Sequence, residues 1–269
     1  MIHSKFITTS IAEILFDAAN ATCCAQQGIN IQPLSDYIMQ SVFIKLTGAQ
    51  EQKIKCICWE LATVDFDTRR ELYTNWQHGE CSHIKDKNAV LNILINNIIK
   101  RKPDFDADNA IDRDFVLNNA KAILAKFFES ANIKGFSGKE YNDFLTIFGE
   151  IEPECIYYSQ ETKGGRKQSF FTNCDNCTHK KDINKTYTCS NKKNLGFMYE
   201  CMYNHRNRCA HNLTSYQQNL PALTTLRNFD YVYENYFIRF LLLLIIDIII
   251  VKLYDAFLEE IKKLETIFV

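Results

Sequence analysis

The sequence predicts an all-α helical bundle, and three observations carry that prediction. Apolar residues recur at three- and four-residue spacing along nearly all of the 269 residues. Only nine Gly and four Pro interrupt them, too few for a turn-rich all-β chain. One near-solid apolar run, "FLLLLIIDIIIV" at Phe240–Val251, suits the middle of a central helix. With 46% hydrophobic residues the chain can bury a sizeable core. The expected organisation is one compact domain in three stretches: an N-terminal helical part over 1–149, an irregular basic insertion over 150–192, and C-terminal helices over 193–269.

Ser10 and Glu13 have capping-box spacing and open a helix to about Cys24. "GINIQP" then breaks the chain, and Leu34, Ile38, Val42 and Leu46 start a new stripe. This pattern resumes through "EQKIKCICWELATV", with Gly48 marking a kink or a point of close packing. Trp59, Trp76, Phe127 and Phe128 read as core. "NAVLNILINNIIKRK" is a further amphipathic helix ending at Pro103, and Asp112–Ser130 another, with Val116, Ala120, Ile123, Leu124 and Phe127 inward. Ser137 and Glu140 cap a short helix. From Glu150 to about Lys192 the period is lost, which predicts an irregular excursion with a short hairpin. Helical spacing returns near Asn194, and the longest helix is expected from about Phe229 to Glu265.

The apolar run is 12 residues long and contains Asp247. A spanning helix needs about 20 apolar residues, so a buried core helix is expected and no membrane span. The N-terminus lacks an uninterrupted apolar region with a cleavage site, so no signal peptide is expected. Eleven cysteines, with Cys23 and Cys24 adjacent, do not read as a disulfide framework, and a cytoplasmic location follows.

Charge is uneven. Between Glu161 and His211 ten Lys/Arg stand against four Asp/Glu, a basic segment on an otherwise acidic chain. Such a segment suits a polyanion, with Lys163, Arg166, Lys167, Lys180, Lys181 and Arg208 as candidate RNA contacts. Cys174, Cys177, His179 and Cys189 have the composition of a structural zinc site, though a single CxxC is a weak signal. Phe170, Phe171 and Tyr187 would stack on bases or pack into the core.

The densest chemistry lies in "YECMYNHRNRCAHNLTSY" at 199–216. A histidine moves protons near neutral pH, an arginine grips phosphate oxygens, and an asparagine orients either. Arg206, Asn207 and His211 therefore suffice for metal-free RNA cleavage, with no cofactor. His205 is a possible supporting residue, and Cys209 a small hydrophobe. About 100° per residue puts Asn207 and His211 on one face but separates Arg206 from His211 by about 140°. Two copies facing across a two-fold axis would pool both pairs. The bland reading is a helix end whose cations satisfy carbonyls.

"RNRCAH" at 206–211 resembles the Arg-x(4–6)-His signature of the HEPN superfamily, small all-helical domains that are mostly dimeric. Many members are metal-independent endoribonucleases of toxin–antitoxin, abortive-infection and RNA-guided defence systems. The resemblance implies Arg206 as the phosphate-binding group, Asn207 as its support and His211 as the general acid and base. It implies a homodimer, an RNA substrate and a possible antitoxin or defence-complex partner. The products would carry a 2′,3′-cyclic phosphate. Some members bind without cutting, so a non-catalytic module binding nucleic acid or protein is the alternative. The 150–192 insertion has no counterpart in the minimal domain.

Overall fold

The structure, a computed structural model of the chain, describes residues 2–22, 31–74, 81–162, 165–172, 180–181, 187–188, 195–211 and 235–267. The order is α1 (Ser4–Thr8), α2 (Ala12–Thr22), α3 (Ile31–Val64), α4 (Phe66–Thr74), α5 (Ile84–Arg101), α6 (Ala107–Ala110), α7 (Arg113–Glu129) and α8 (Ala131–Phe148). A hairpin of β1 (Ile156–Thr162) and β2 (Gly165–Phe171) follows, then the short pair β3 (Lys180–Lys181) and β4 (Tyr187–Thr188). The chain closes with α9 (Leu195–His211) and α10 (Tyr236–Ile267). The architecture is all-α, as expected, with a small β excursion.

Helix α10 is the centre. From Phe240 to Ile246 every side chain is apolar and buried, because α1, α3, α5, α7, α8 and α9 all pack against the helix. A helix apolar on every side has no face to offer water, so the other helices must surround it. No helix among the described residues is long and apolar enough to cross a membrane. Asp247, the one charge in the run, is 1% exposed and pairs with Lys53 of α3 at 2.5 Å.

That carboxylate also changes the start of α2. Ser10 Oγ accepts from the Ala12 amide at 3.2 Å, as a capping hydroxyl should. The Ile11 amide, however, donates to Asp247 Oδ2 at 3.0 Å, so a buried partner from α10 supplies part of the cap. Asp112 caps α7 by accepting from the Phe115 amide at 2.9 Å.

Several sequence expectations are corrected. Helix α3 runs unbroken through Gly48, and a β-carbon there would meet nothing within 4 Å, so the glycine marks neither kink nor close approach. At 34 residues α3 outruns α10 at 32, so the C-terminal helix is not the longest. Trp59 is 64% exposed, since Ile57, Glu60 and Leu61 turn the inward face of α3 away from it. Ser137 does not start a helix. It is a break inside α8 (φ −111°, ψ 15°), where its hydroxyl donates backwards to the Ile133 carbonyl at 2.7 Å. Helix α1 has no counterpart in the sequence reading. Phe127 is fully buried and Phe128 stacks on Tyr141 at 3.9 Å, as a core pair should. Trp76, and the first residues of the helix expected from Phe229, lie outside the described residues.

The hairpin docks on α5 through two asparagines one turn apart. Asn88 Oδ1 accepts from the Phe170 amide at 3.0 Å. Asn92 both accepts from the Gln168 amide, at 2.8 Å, and donates to its carbonyl, at 2.7 Å. The outer edge of β2 is thereby satisfied by side chains where a third strand would otherwise be needed. Phe170 and Phe171 are buried, which makes them core and not base-stacking groups.

Candidate functional site

The motif segment folds as α9 because Leu195, Met198, Tyr199, Met202 and Cys209 give it a buried stripe against α3, α5 and α10. Tyr199, Met202, Tyr203 and Arg206 stand at helical spacing and form one row. Facing them, α3 presents Thr47, Gln50 and Glu51, again three and four residues apart. Ser82 and Lys87, at the start of α5, and Leu243 of α10 complete a crevice. Its walls close so far that no water-sized body fits between them.

Arg206 stands at the rim, with 23% of its side chain exposed. Its Nη2 pairs with Glu51 Oε2 at 3.2 Å and its Nη1 donates to Asn207 Oδ1 at 3.3 Å. The third donor, Nε, is buried and has no acceptor among the described residues. Gln50 is fully buried. Its Nε2 donates to the Leu243 carbonyl at 2.8 Å, while its Oε1 finds no donor among the described residues.

Lys87 lies deeper. It is 1% exposed, and among the described residues no ion pair or hydrogen bond engages its ammonium. It occupies the first turn of α5, the end of a helix where a cation is least welcome. Burial pushes its pKa down to about 8. The carboxylate of Glu51 opposes that most strongly, and the Arg206 guanidinium reinforces it. Arg206 and Lys87 thus both draw on Glu51 in a desolvated place, with Asp86 a weaker influence on the lysine. Tyr199 is buried too, its phenol held well above the usual range by desolvation, and it donates to the Ser82 carbonyl at 3.2 Å. The Ser82 and Tyr203 hydroxyls meet at 3.3 Å. Just before Ser82 the backbone of Cys81 is left-handed (φ 51°), an unfavourable state for a residue with a β-carbon.

The predicted residues divide sharply. Arg206 and Asn207 are joined by a hydrogen bond at the crevice rim. His211 is the last described residue of α9, and its side chain, like that of Arg208, lies outside the described residues. His205 belongs to the core and not to a supporting shell. It is 9% exposed, lies 5.8 Å from the Phe43 ring and 6.2 Å from Tyr236, and meets Cys209 Sγ at 3.2 Å. One residue of helical rotation from Arg206, about 100°, accounts for the difference.

Of the basic candidates, Arg166 is half-exposed and lies 3.4 Å from Asp108, which partly neutralises it, while Lys167 is exposed. Lys163 and the side chains of Lys180 and Lys181 lie outside the described residues. So do Cys174, Cys177, His179 and Cys189, the candidate zinc ligands, and the side chain of Tyr187.

Sequence reading missed Gln50, Glu51 and Lys87. A signal existed for two of them. Lys87 shares the apolar stripe of α5 with Leu91, Leu94 and Ile98, and Gln50 shares that of α3 with Phe43, Leu46 and Ile54. A polar residue inside an apolar stripe either has a partner or has a task. No protein-family model, no curated protein and no solved structure matches the chain. The motif and the crevice therefore carry the functional argument.

Proposed function

We propose that the chain is a metal-independent endoribonuclease of HEPN type, acting as a homodimer in the cytoplasm. The observation that supports it best is the pairing of Arg206 with Asn207 at the mouth of a crevice that also holds Lys87, one helical turn before His211. His211 takes the proton of a ribose 2′-OH, and the freed oxygen attacks the adjacent phosphorus. Arg206 steadies the phosphorane, and the 5′-oxygen leaves with a proton, so that a 2′,3′-cyclic phosphate remains. The angular offset between Arg206 and His211 is met by a partner copy, which brings its own pair to the same cleft. A role as toxin or antiviral effector is part of this proposal and comes from the motif resemblance alone.

The Arg206–Glu51 ion pair favours a second reading. A guanidinium already matched by a carboxylate suits a non-catalytic module in which the motif holds a partner or a phosphate without cutting. Incubation with total RNA in EDTA separates the two. The nuclease yields fragments with cyclic phosphate ends, and His211→Ala or Arg206→Ala lowers the rate by about 10²–10³-fold. Light scattering should show the dimer unchanged in His211→Ala. Binding without fragments, in wild type and variants alike, would leave the module.

A further inference from the structure

We propose that the crevice between α3, α5 and α9 is a displaceable-anion site, in which Glu51 is the internal stand-in for a phosphodiester of RNA that takes its place between Arg206 and Lys87. The proposal rests on the reading above for the identity of the anion, and it adds two residues, Lys87 and Glu51, that the motif does not contain.

The donor count comes first. Arg206 Nε is buried with no acceptor among the described residues, and Lys87, 1% exposed as a residue, forms no ion pair with any described carboxylate. Buried donors left open are costly, and a buried cation without a matched anion more so. Among the residues that line the crevice Glu51 is the one carboxylate beside Arg206 and Lys87, with Asp86 a weaker influence on the lysine from its own helix. A phosphodiester brings the same single charge as the carboxylate, but on a tetrahedral centre whose two non-bridging oxygens, with the ester oxygens beside them, can face the open Arg206 Nε as well as its Nη groups.

The way in comes next. Glu51 and Arg206 are 15% and 23% exposed, while Lys87 is nearly sealed, so their ion pair lies as a clasp over the lysine. With Glu51 in place the crevice holds nothing. A glutamate has three rotatable bonds, and from this position its carboxylate can turn to water. Its departure clears a carboxylate-sized space beside both cations.

The test uses the full chain and a 2′-O-methyl oligoribonucleotide, which binds but cannot be cut, followed by fluorescence anisotropy. Lys87→Met keeps the aliphatic stem and removes the charge, and it should weaken binding about tenfold, as loss of one charge-assisted contact does. Glu51→Gln, at the rim, removes the competing carboxylate and should tighten binding. Melting curves establish that both variants fold, and Glu51→Gln carries the test if Lys87→Met does not. Unchanged or weaker binding by Glu51→Gln, or wild-type affinity in folded Lys87→Met, overturns the proposal. Inorganic phosphate that raises the wild-type melting temperature while the oligonucleotide fails to bind overturns the assignment to RNA. RNA held at this site but never cut speaks only against the nuclease reading. RNA cut while both variants bind like wild type speaks only against this one.

Discussion

Among the described residues two lysines reach the interior of this bundle, and they are treated in opposite ways. Lys53 meets Asp247 at 2.5 Å, and the carboxylate is further held by the Ile11 amide and by Ser10 Oγ at 3.4 Å. Lys87, equally buried, has no such partner, and its nearest anionic influence, Glu51, is engaged by Arg206. Both arrangements involve α3, where Gln50 and Glu51 lie three and two residues before Lys53. The closed site is structural: every charge is met, and it ties α10 to α3 and to the start of α2. The open site has donors to spare. Buried charge left unmatched where a protein can match it one turn away marks a place kept for a ligand.

The comparison breaks most visibly at the closed site. Asp247→Asn removes the anion and leaves Lys53 buried beside a neutral amide, which should cost about 3–5 kcal/mol. Urea unfolding followed by circular dichroism measures it. The double variant Lys53→Met with Asp247→Leu removes both charges and should recover most of that loss, because apolar replacements of a buried pair are often neutral or better. A loss below about 1 kcal/mol in the single variant would mean that water or a side-chain shift already screens the pair, and the contrast between the two lysines would vanish.

The same contrast shows what was legible beforehand. Spacing alone locates α5, α7, α9 and most of α10, because each buries one stripe or, for α10, every face. The hairpin in the insertion is foreseeable from the lost period, but its docking by Asn88 and Asn92 is not, since it depends on two elements 76 and 82 residues apart. Trp59 misleads because large aromatics are taken as core by type, whereas the period of α3 turns it outward. Of the site, Arg206 and Asn207 are visible as a motif. Glu51 is not, because nothing in an amphipathic helix says which of its rim carboxylates will meet an arginine 155 residues away. His205 misleads in the other direction: proximity in sequence to Arg206 is separation on a helix.

At the open site the expected sign reverses. Lys87→Met deletes an unmatched buried ammonium and keeps its packing, so it should stabilise the free protein by about 1–3 kcal/mol. Under the proposed anion site the same substitution also weakens RNA binding, and one residue would then trade stability for function. Thermal unfolding reads the stability, and destabilisation by Lys87→Met would show that the lysine is matched after all and resembles Lys53.

The pH dependence sharpens this further and is the smallest effect. The pKa of Lys87 is lowered to about 8 in the folded chain, from 10.5 when exposed. Below about pH 8 both states carry the proton, and the folded state bears the whole penalty. Between about 8 and 10.5 the folded state loses a proton that the unfolded state keeps, so stability should rise with pH, at most by about 1.4 kcal/mol per unit. The charged groups facing Lys87 are Glu51 from α3, Arg206 from α9, Asp86 on its own helix and Cys81 just before it. Cys81 is lowered by its hydrogen bond from Cys58, whose own thiol is raised by the same contact, so the two contribute slopes of opposite sign. Taking the difference between wild type and Lys87→Met removes most of that contribution. The advantage of the variant should therefore be full at pH 7 and shrink as the pH approaches 10. An advantage that stays constant across that range would mean that packing and not charge sets it, and the lysine would then give no reason to regard the crevice as built for an anion.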